Sequence, residues 1–584
     1  MILLMLLCSL LVRAQSATQW GPDGFVRIDE GSGGFYADLD PGDRFSRDHD
    51  LIGDVNGDGV LDLVVGARSD DDGATDAGAL YILFMNPDGT VLDNQKISML
   101  EGGFTDTLNA GNFFGYGVAG IGDYDGDGIP DIAASAPVPP NRALYVIFLN
   151  ADGTVKNLVK NPNITAQGLT AIGDLNHDGR IDLVACDPGS DLGGTDIGAI
   201  RILFLTPGGQ IMPARTVLIN PLSGNFGTGL NPGDQFGGRE VAMLGDIDLD
   251  GNPELAVGAF MSDGGKGAIW MLSLDNTTHE VVSKLKIGEG LNGFSDTLTA
   301  GPNPNGTEGA NFGHAMCRVG DLNGDGVTDL MTGANQQNEG WGYILYLNPD
   351  KTVKTFTRIN QSNGGFGLVL DPEERFSRSI SFVGDLRGDG TLAVNYGGGA
   401  GGTGTLYLLF FKPCDFERQA GPSAWNGGNT LFANFDEASQ TFLGDSLSFE
   451  QCTFKAFEHN AAFMTYNPAD GRCICKDSSA VAIPAADGSE AYRNLCYSPA
   501  VGLDPLSASA ARTMVFPNPT DGHLYVRLPD EARLTVYTAT GVGVLSTQAP
   551  AGTSTLDLSA LPAGLYYLEV AAPDGKAIFR IGRQ

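Results

Sequence analysis

Apolar and polar positions follow one pattern that repeats along most of this chain. Apolar runs such as Leu-Val-Val at 63–65 come directly after acidic, glycine-rich loops, which marks them as buried strands anchored to those loops. Downstream stand "GALYILFMNPDGTV" (from 78), "RALYVIFLNADGTV" (142), "GAIRILFLTPGGQI" (198) and "GYILYLNPDKTV" (342). Their alternation around Asn-Pro-Asp-Gly-type turns is a hairpin signal. Upstream stand "RFSRDHDLIGD", "FFGYGVAGIGD", "QFGGREVAMLGD", "NFGHAMCRVGD" and "RFSRSISFVGD". Each unit reads as strand, acidic loop, strand, tight turn, strand, hairpin, outer strand.

The acidic loop occurs six times: "GDVNGDGVLDLVVGA" (53), "GDYDGDGIPDIAASA" (122), "GDLNHDGRIDLVACD" (173), "GDIDLDGNPELAVGA" (245), "GDLNGDGVTDLMTGA" (320) and "GDLRGDGTLAVNYGG" (384). Successive copies lie 69, 51, 72, 75 and 64 residues apart. Four short strands per unit, repeated, is the signature of a propeller blade. Six blades fit residues 15–412, with a seventh as the alternative if a divergent blade hides in a long interval. The N-terminal "FVRIDEGSGGFYADLDPGDRF" matches the tail of a unit, as in "FTRINQSNGGFGLVLDPEERF" at 356. An orphan outer strand at the start would complete the last blade and close the ring, removing exposed sheet edges. These residues resemble the FG-GAP repeats of integrin alpha subunits and their bacterial relatives. The resemblance implies a β-propeller whose acidic loops each hold one calcium.

The chemistry of the loop supports the same expectation. Calcium takes six to eight oxygens in flexible geometry, and a loop can supply them from side chains at positions 1, 3, 5 and 9 with the carbonyl of position 7. Glycine at position 6 permits the sharp turn. The ligand sets are Asp54, Asn56, Asp58, Asp62 with the Val60 carbonyl; Asp123, Asp125, Asp127, Asp131 with Ile129; and Asp174, Asn176, Asp178, Asp182 with Arg180. Two more are Asp246, Asp248, Asp250, Glu254 with Asn252, and Asp321, Asn323, Asp325, Asp329 with Val327. Zinc is disfavoured because no histidine or thiol stands at a ligand position; His177, at position 4, is expected to point outward. The five loops carry 17 acidic side chains, so about five structural Ca²⁺ would relieve their repulsion. In the sixth copy Arg387 and Ala393 replace two ligands, and the arginine charge is expected to stand in for the metal. Arg387-Gly388-Asp389 is also the tripeptide that integrins recognise, but a decayed calcium loop is the preferred reading.

Composition narrows the function classes. Glycine is 83 of 584 residues, hydrophobics are 42% and the formal charge is −35. High glycine with an ample apolar share reads as a turn-rich all-β protein. The acidity argues against nucleic acid, whose binding rests on phosphate neutralisation by Lys and Arg. Residues 1–14, apolar from Ile2 to Val12 and ending Val-Arg-Ala, read as a signal peptide, although without a basic start. Leu7 before Cys8 disfavours a lipoprotein, and no later segment is apolar enough to span a membrane as a helix.

Residues 413–500 change character. "CTFKAFEHNAAFMTYNPADGRCICKDSS" (452) reads as a helix carrying Cys452, a strand, a turn and a strand with Cys473 and Cys475. This small Cys-containing α+β segment resembles a PAN/apple module; the resemblance implies protein or carbohydrate binding and a helix-to-strand disulfide. Cys414, Cys452, Cys473, Cys475 and Cys496 are the disulfide candidates, with pairing left open. After a small-residue linker at 501–512, residues 513–584 alternate between glycine turns as in a β-sandwich. "FPNPTDG", "VYTATG" and "LDLSALPAGLYYLEV" with a basic end closely resemble the type IX secretion sorting domain of Bacteroidota. That implies the type IX secretion machinery as a partner and a secreted or cell-surface location after Sec export.

No Gly-x-Ser-x-Gly, His-Glu-x-x-His or P-loop occurs, and the six histidines fall in different units or regions. His314 and Cys317 read as packed inner-strand residues. The expectation is a calcium-binding propeller that recognises an extracellular carbohydrate or protein ligand and is not an enzyme. Its ligand residues are expected on the face opposite the metal loops, around "GGFTDTLNAGNFF" and "NGFSDTLTAGPNPNGTEGANF". The alternative is a polysaccharide lyase or hydrolase built on the propeller, which a clustered Arg/Lys/Tyr set at the ring centre would favour.

Overall fold

The computed structural model describes residues 19–414, apart from 302–308, 371–373, 388–390 and 400–402, and strand segments beyond that as far as residue 583. Six four-stranded antiparallel sheets follow one another in sequence. Blade one is β2 (Phe45–Gly53), β3 (Asp62–Ala67), β4 (Ala79–Met85) and β5 (Val91–Ile97). Blade two is β6 (Val118–Gly122) to β9 (Val155–Pro162), and blade three β10 (Gly168–Ala171) to β13 (Val217–Ile219). Blade four runs from β14 (Ala242–Gly245) to β17 (Val281–Ile287), and blade five from β18 (Phe312–Gly320) to β21 (Val353–Ile359). The sixth contains β22 (Ile380–Gly384), β23 (Leu392–Gly398) and β24 (Thr405–Cys414), and its outer strand is β1 (Gln19–Ile28) from the start of the chain. The first and last strands thus share one sheet, with Ile28 opposite Leu406 and Phe25 opposite Leu409. That is the orphan strand expected from the sequence, and it closes a ring of six.

Alternation explains how the ring packs. β3, β4, β7 and β8 are buried at every position because each face meets a neighbouring blade. One apolar cluster fills each of the six junctions between successive blades, including the junction of blades six and one, where Leu406, Leu408 and Phe410 meet Phe35, Phe45 and Tyr81. Glycine is required where backbones touch across a junction. A Cβ on Gly66 would lie 2.1 Å from the Gly115 carbonyl oxygen, and one on Gly258 would lie 1.8 Å from that of Gly313.

The direction of the inner strands sets two different faces. Each inner strand ends in Gly-Asp and opens into an acidic loop, so all six loops lie on one face with the hairpin turns. The β3–β4-type loops and the links between blades lie on the other.

Beyond the propeller, Phe463–Asn467 and Arg472–Lys476 pair as antiparallel strands, as read from the sequence, within a five-stranded sheet. The expected helix around Cys452 and the disulfide pairing fall outside the described residues, as do the leader and the 501–512 linker. Residues Pro499–Gln584 form a separate compact unit. It holds a three-stranded and a four-stranded sheet whose Val526, Leu556, Leu534, Val536 and Leu568 share one core, a small β-sandwich. Among the described residues no helix is long and apolar enough to cross a membrane.

Candidate functional site

In the first acidic loop one side chain gathers the turn. Asp54 Oδ1 accepts the Gly57 and Asp58 amides at 2.8 and 3.0 Å, and Oδ2 accepts Gly59 N–H at 2.8 Å. Asn56 Oδ1 accepts Asp58 N–H at 2.9 Å, and Asp58 Oδ1 accepts Val60 N–H at 2.8 Å. The glycines at positions 4 and 6 have φ of 75° and 90°, the region where side chains are strained. The other four loops repeat this scheme, with Asp123, Asp174, Asp246 and Asp321 each folding the backbone onto itself.

The position-9 carboxylate does something the sequence did not announce. Asp62 is fully buried; its Oδ2 accepts Val55 N–H at 2.8 Å and its Oδ1 accepts Met85 N–H at 3.0 Å. It ties the loop to the end of β4. Asp131 does the same with Tyr124 and Leu149, and Asp329 with Leu322 and Leu347. Burial lifts Asp62 and Asp131 to about 6, Asp182 to about 7 and Asp329 to about 8, with the acidic neighbours in each loop adding to the rise; Glu254 is also raised. Carboxylates held in this way favour a cation beside them.

The oxygens converge as a cation would need. Carboxylate oxygens of Asp123, Asp125 and Asp131 lie within 4.8 Å of one another, as do those of Asp246, Asp248 and Glu254. In the other three loops position 3 is an asparagine, Asn56, Asn176 or Asn323, which offers an amide oxygen in place of a carboxylate. An all-oxygen donor set on a glycine-turned loop fits calcium and not zinc. His177 is exposed, as expected.

Lysines, not foreseen, reach three of these loops. Lys156 Nζ lies 2.7 Å from Asp125 and 2.6 Å from Asp127, and Lys354 Nζ is 3.1 Å from Asp325. Lys351, from blade five, contacts Asp248 and lies 3.3 Å from Glu254. Their only sequence signal is a lysine beside the hairpin turn. The sixth loop differs from its expectation in a definite way: Arg387 does not replace a metal at the loop centre but turns to the closing strand. Its Nη1 is 2.7 Å from Asp23, and its guanidinium carbon sits 3.6 Å from the Phe410 ring centroid. Gly388 and Asp389 of the Arg-Gly-Asp tripeptide fall outside the described residues.

Inner strands from all six blades enclose an axial channel of about 330 Å³. Asp48, Asp50 and Glu240 line it, with the Asp48 and Glu240 carboxylates side by side. Cys317 also lines it, whereas His314 donates its Nδ1–H to the Arg378 carbonyl at 2.9 Å. Both are buried inner-strand residues, as read from the sequence. The two long inter-blade loops expected to carry ligand residues are partly core: Phe104 and Leu108, and likewise Phe294 and Leu298, are buried between blades. At the channel end opposite the acidic loops a cationic and aromatic group does occur. The Arg68 and Arg239 guanidinium carbons lie 4.2 and 4.4 Å from the Tyr116 ring centroid, and Arg239 Nη2 donates to Tyr116 Oη at 3.2 Å.

Comparison with known proteins agrees with the repeat architecture. Residues 51–83 match the FG-GAP repeat model, residues 123–185 the FG-GAP-like repeat model, and residues 514–581 the secretion system C-terminal sorting domain. The chain is 27% identical over 269 residues to integrin alpha pat-2 of Caenorhabditis briggsae, which covers 41% of this chain and 19% of that protein. It is 30% identical over 125 residues to integrin alpha-3 of Cricetulus griseus (21% and 11%). It is also 31% identical over 173 residues to phosphatidylinositol-glycan-specific phospholipase D of Mus musculus (26% and 20%). The chain spans a fifth or less of the length of these relatives. Fold and repeats together define a six-bladed FG-GAP propeller. More particularly, its repeats are integrin alpha-like, and its sorting domain marks it for type IX secretion to the cell surface or exterior.

Proposed function

We propose that this is a calcium-stabilised recognition protein of the cell surface or its surroundings, which binds an extracellular carbohydrate or protein ligand and uses about five Ca²⁺ as scaffold. The observation that carries it is the hydrogen-bonded turn shared by five acidic loops on the face away from the channel mouth, two of which bring three carboxylates within 4.8 Å of one another. In this reading the ions hold the loops at the ends of the inner strands, and recognition belongs to the opposite face. Because calcium binds the native loops and not the unfolded chain, it stabilises the fold by linkage. Chelation is expected to lower the Tm by several degrees, and added Ca²⁺, but not Zn²⁺, to restore it. An unchanged Tm on chelation refutes the calcium reading.

A second reading, a polysaccharide lyase or hydrolase, is favoured by the arginine-flanked Tyr116. Burial alone would raise that phenol, but the Arg239 and Arg68 charges outweigh it and bring it down to about 7, the range of a general base near neutral pH. Polysaccharide panels scored for binding and product release together separate the two. Binding without products supports recognition; new reducing ends or unsaturated sugars make the protein an enzyme.

A further inference from the structure

At the channel end opposite the acidic loops, arginines cluster in a chain of formal charge −35. Arg47 on β2, Arg239 just before β14 and Arg378 just before β22 each stand one or two residues before a channel-lining position, and their charges act on one another, so three blades bring a guanidinium to the same end of the channel. Arg68 joins them from the loop after β3, and Arg44 and Arg375 stand nearby. Arg47, Arg68 and Arg239 are only 7, 7 and 8% exposed. Among the described residues none of the six forms an ion pair, and Arg47 Nε and Nη1, Arg68 Nε, and Arg378 Nε and Nη1 are buried without a hydrogen-bond partner.

That arrangement is costly as it stands. Burial, reinforced by the charges of Arg378, Arg68 and Arg239, pushes the Arg47 guanidinium down to about 6. A guanidinium does not give up its proton in proteins, so the cost is met by an anion or not at all. The channel carboxylates Asp48 and Glu240 do not supply one: burial raises both, and the Asp48 charge lifts Glu240 further while the hydrogen bond between them lowers Asp48, so the pair keeps a proton. Guanidinium forks fit planar oxyanions, and five unpaired donor atoms point to an oxyanion from outside. Phe113 and the half-buried Tyr116 add apolar ring surface at the same opening. The recess suits a compact charged group on a small ring: the channel behind it is at the lower end of small-molecule sites.

We infer that this mouth binds the anionic group of an acidic glycan, a uronate carboxylate or a sulfate ester, seated among Arg47, Arg68, Arg239 and Arg378. The site rests on the recognition reading above and gives it a ligand class.

Titration calorimetry of the full chain in calcium tests it, with polygalacturonate, a sulfated dextran, unmodified dextran and poly-glutamate as probes. Polygalacturonate or sulfated dextran is expected to bind, more weakly as salt rises, and Arg47→Gln to weaken that binding at least tenfold; the arm that binds names the oxyanion. Arg47→Gln is also expected to raise the Tm of the ligand-free protein, because it removes an uncompensated buried charge; a lowered Tm makes the arginine structural and overturns the site. Unmodified dextran binding as tightly, or Arg47→Gln binding unchanged, overturns the site while recognition itself stands. Preference for poly-glutamate overturns the glycan and points to a protein partner. Silence of every probe overturns the site, and the broader panel described above then decides recognition separately.

Discussion

Asp58 and Asp62 sit four residues apart in the same loop, and both were read from the sequence as metal ligands, yet they do different work. Asp58 is exposed and accepts the Val60 backbone amide and the Asn56 side-chain amide, both within its own exposed turn. Asp62 is buried and accepts two buried amides, one of them 23 residues away on β4. Asp62→Ala leaves both amides unsatisfied, a loss on the order of 3 kcal/mol, with or without metal. Asp58→Ala removes an outer oxygen and two exposed hydrogen bonds that water can replace, so it is expected to matter in calcium and far less in chelator. Thermal melts of the two variants, each in Ca²⁺ and in EDTA, check this; an Asp62→Ala melt that falls only in calcium would show the carboxylate to be purely a ligand. The alternating carboxylates were legible because their spacing is local. Which of them also served the strand was not, because Met85 and Asp62 meet only after the blade has formed.

Elements were legible for the same reason, one blade at a time. The hairpin turns, the Gly-Asp phrase and the tail-like "FVRIDEG" sufficed to place six sheets and to assign β1 to the last of them. The charged clasp around β1 was not legible: Asp23 meets Arg387 at 2.7 Å and Lys412 at 2.9 Å across more than 360 residues of chain. Such half-exposed pairs are each worth little, so closure rests on the ladder with β24 and on the apolar side chains of blades six and one. Deleting residues 19–28 is therefore expected to bare the edge of β24, lower the Tm sharply and promote association through that edge. A synthetic peptide of those residues, added in trans, is expected to restore the melt by strand addition. A truncated chain that stays monomeric with an unchanged Tm would mean the ring does not need its first strand.

At the scale of the whole molecule, the channel gathers groups that no stretch of sequence brings together. Asp48 and Asp50 come from blade one and Glu240 from the approach to β14, while His49 lines the same channel and His314 is buried on β18. Burial holds the histidines neutral, His49 down to about 4 and His314 well below its usual value. It raises the carboxyls, Asp50 to about 6, Asp48 to about 7 and Glu240 well above its usual range. The two sets pull stability in opposite directions. A histidine depressed in the fold contributes stability that is lost as pH falls from about 6.5 through 4. A carboxyl raised in the fold contributes stability that is full below its unfolded value near 4 and is lost as pH rises through 6 and 7. The propeller is therefore expected to be most stable in mildly acidic solution and to weaken toward pH 8. Glu240→Gln keeps a hydrogen-bonding group beside Asp48, and Ile380 N–H, which now donates to Glu240 Oε2 at 2.8 Å, retains an amide oxygen to meet. It removes the need for a shared proton, so the variant should gain on the order of 2 kcal/mol over the parent at pH 8 and little at pH 5. Melts across that range in saturating calcium, where the loop carboxylates stay ionised, isolate the channel from the loops. Parallel curves for the two proteins would place the pH dependence elsewhere in this acidic chain.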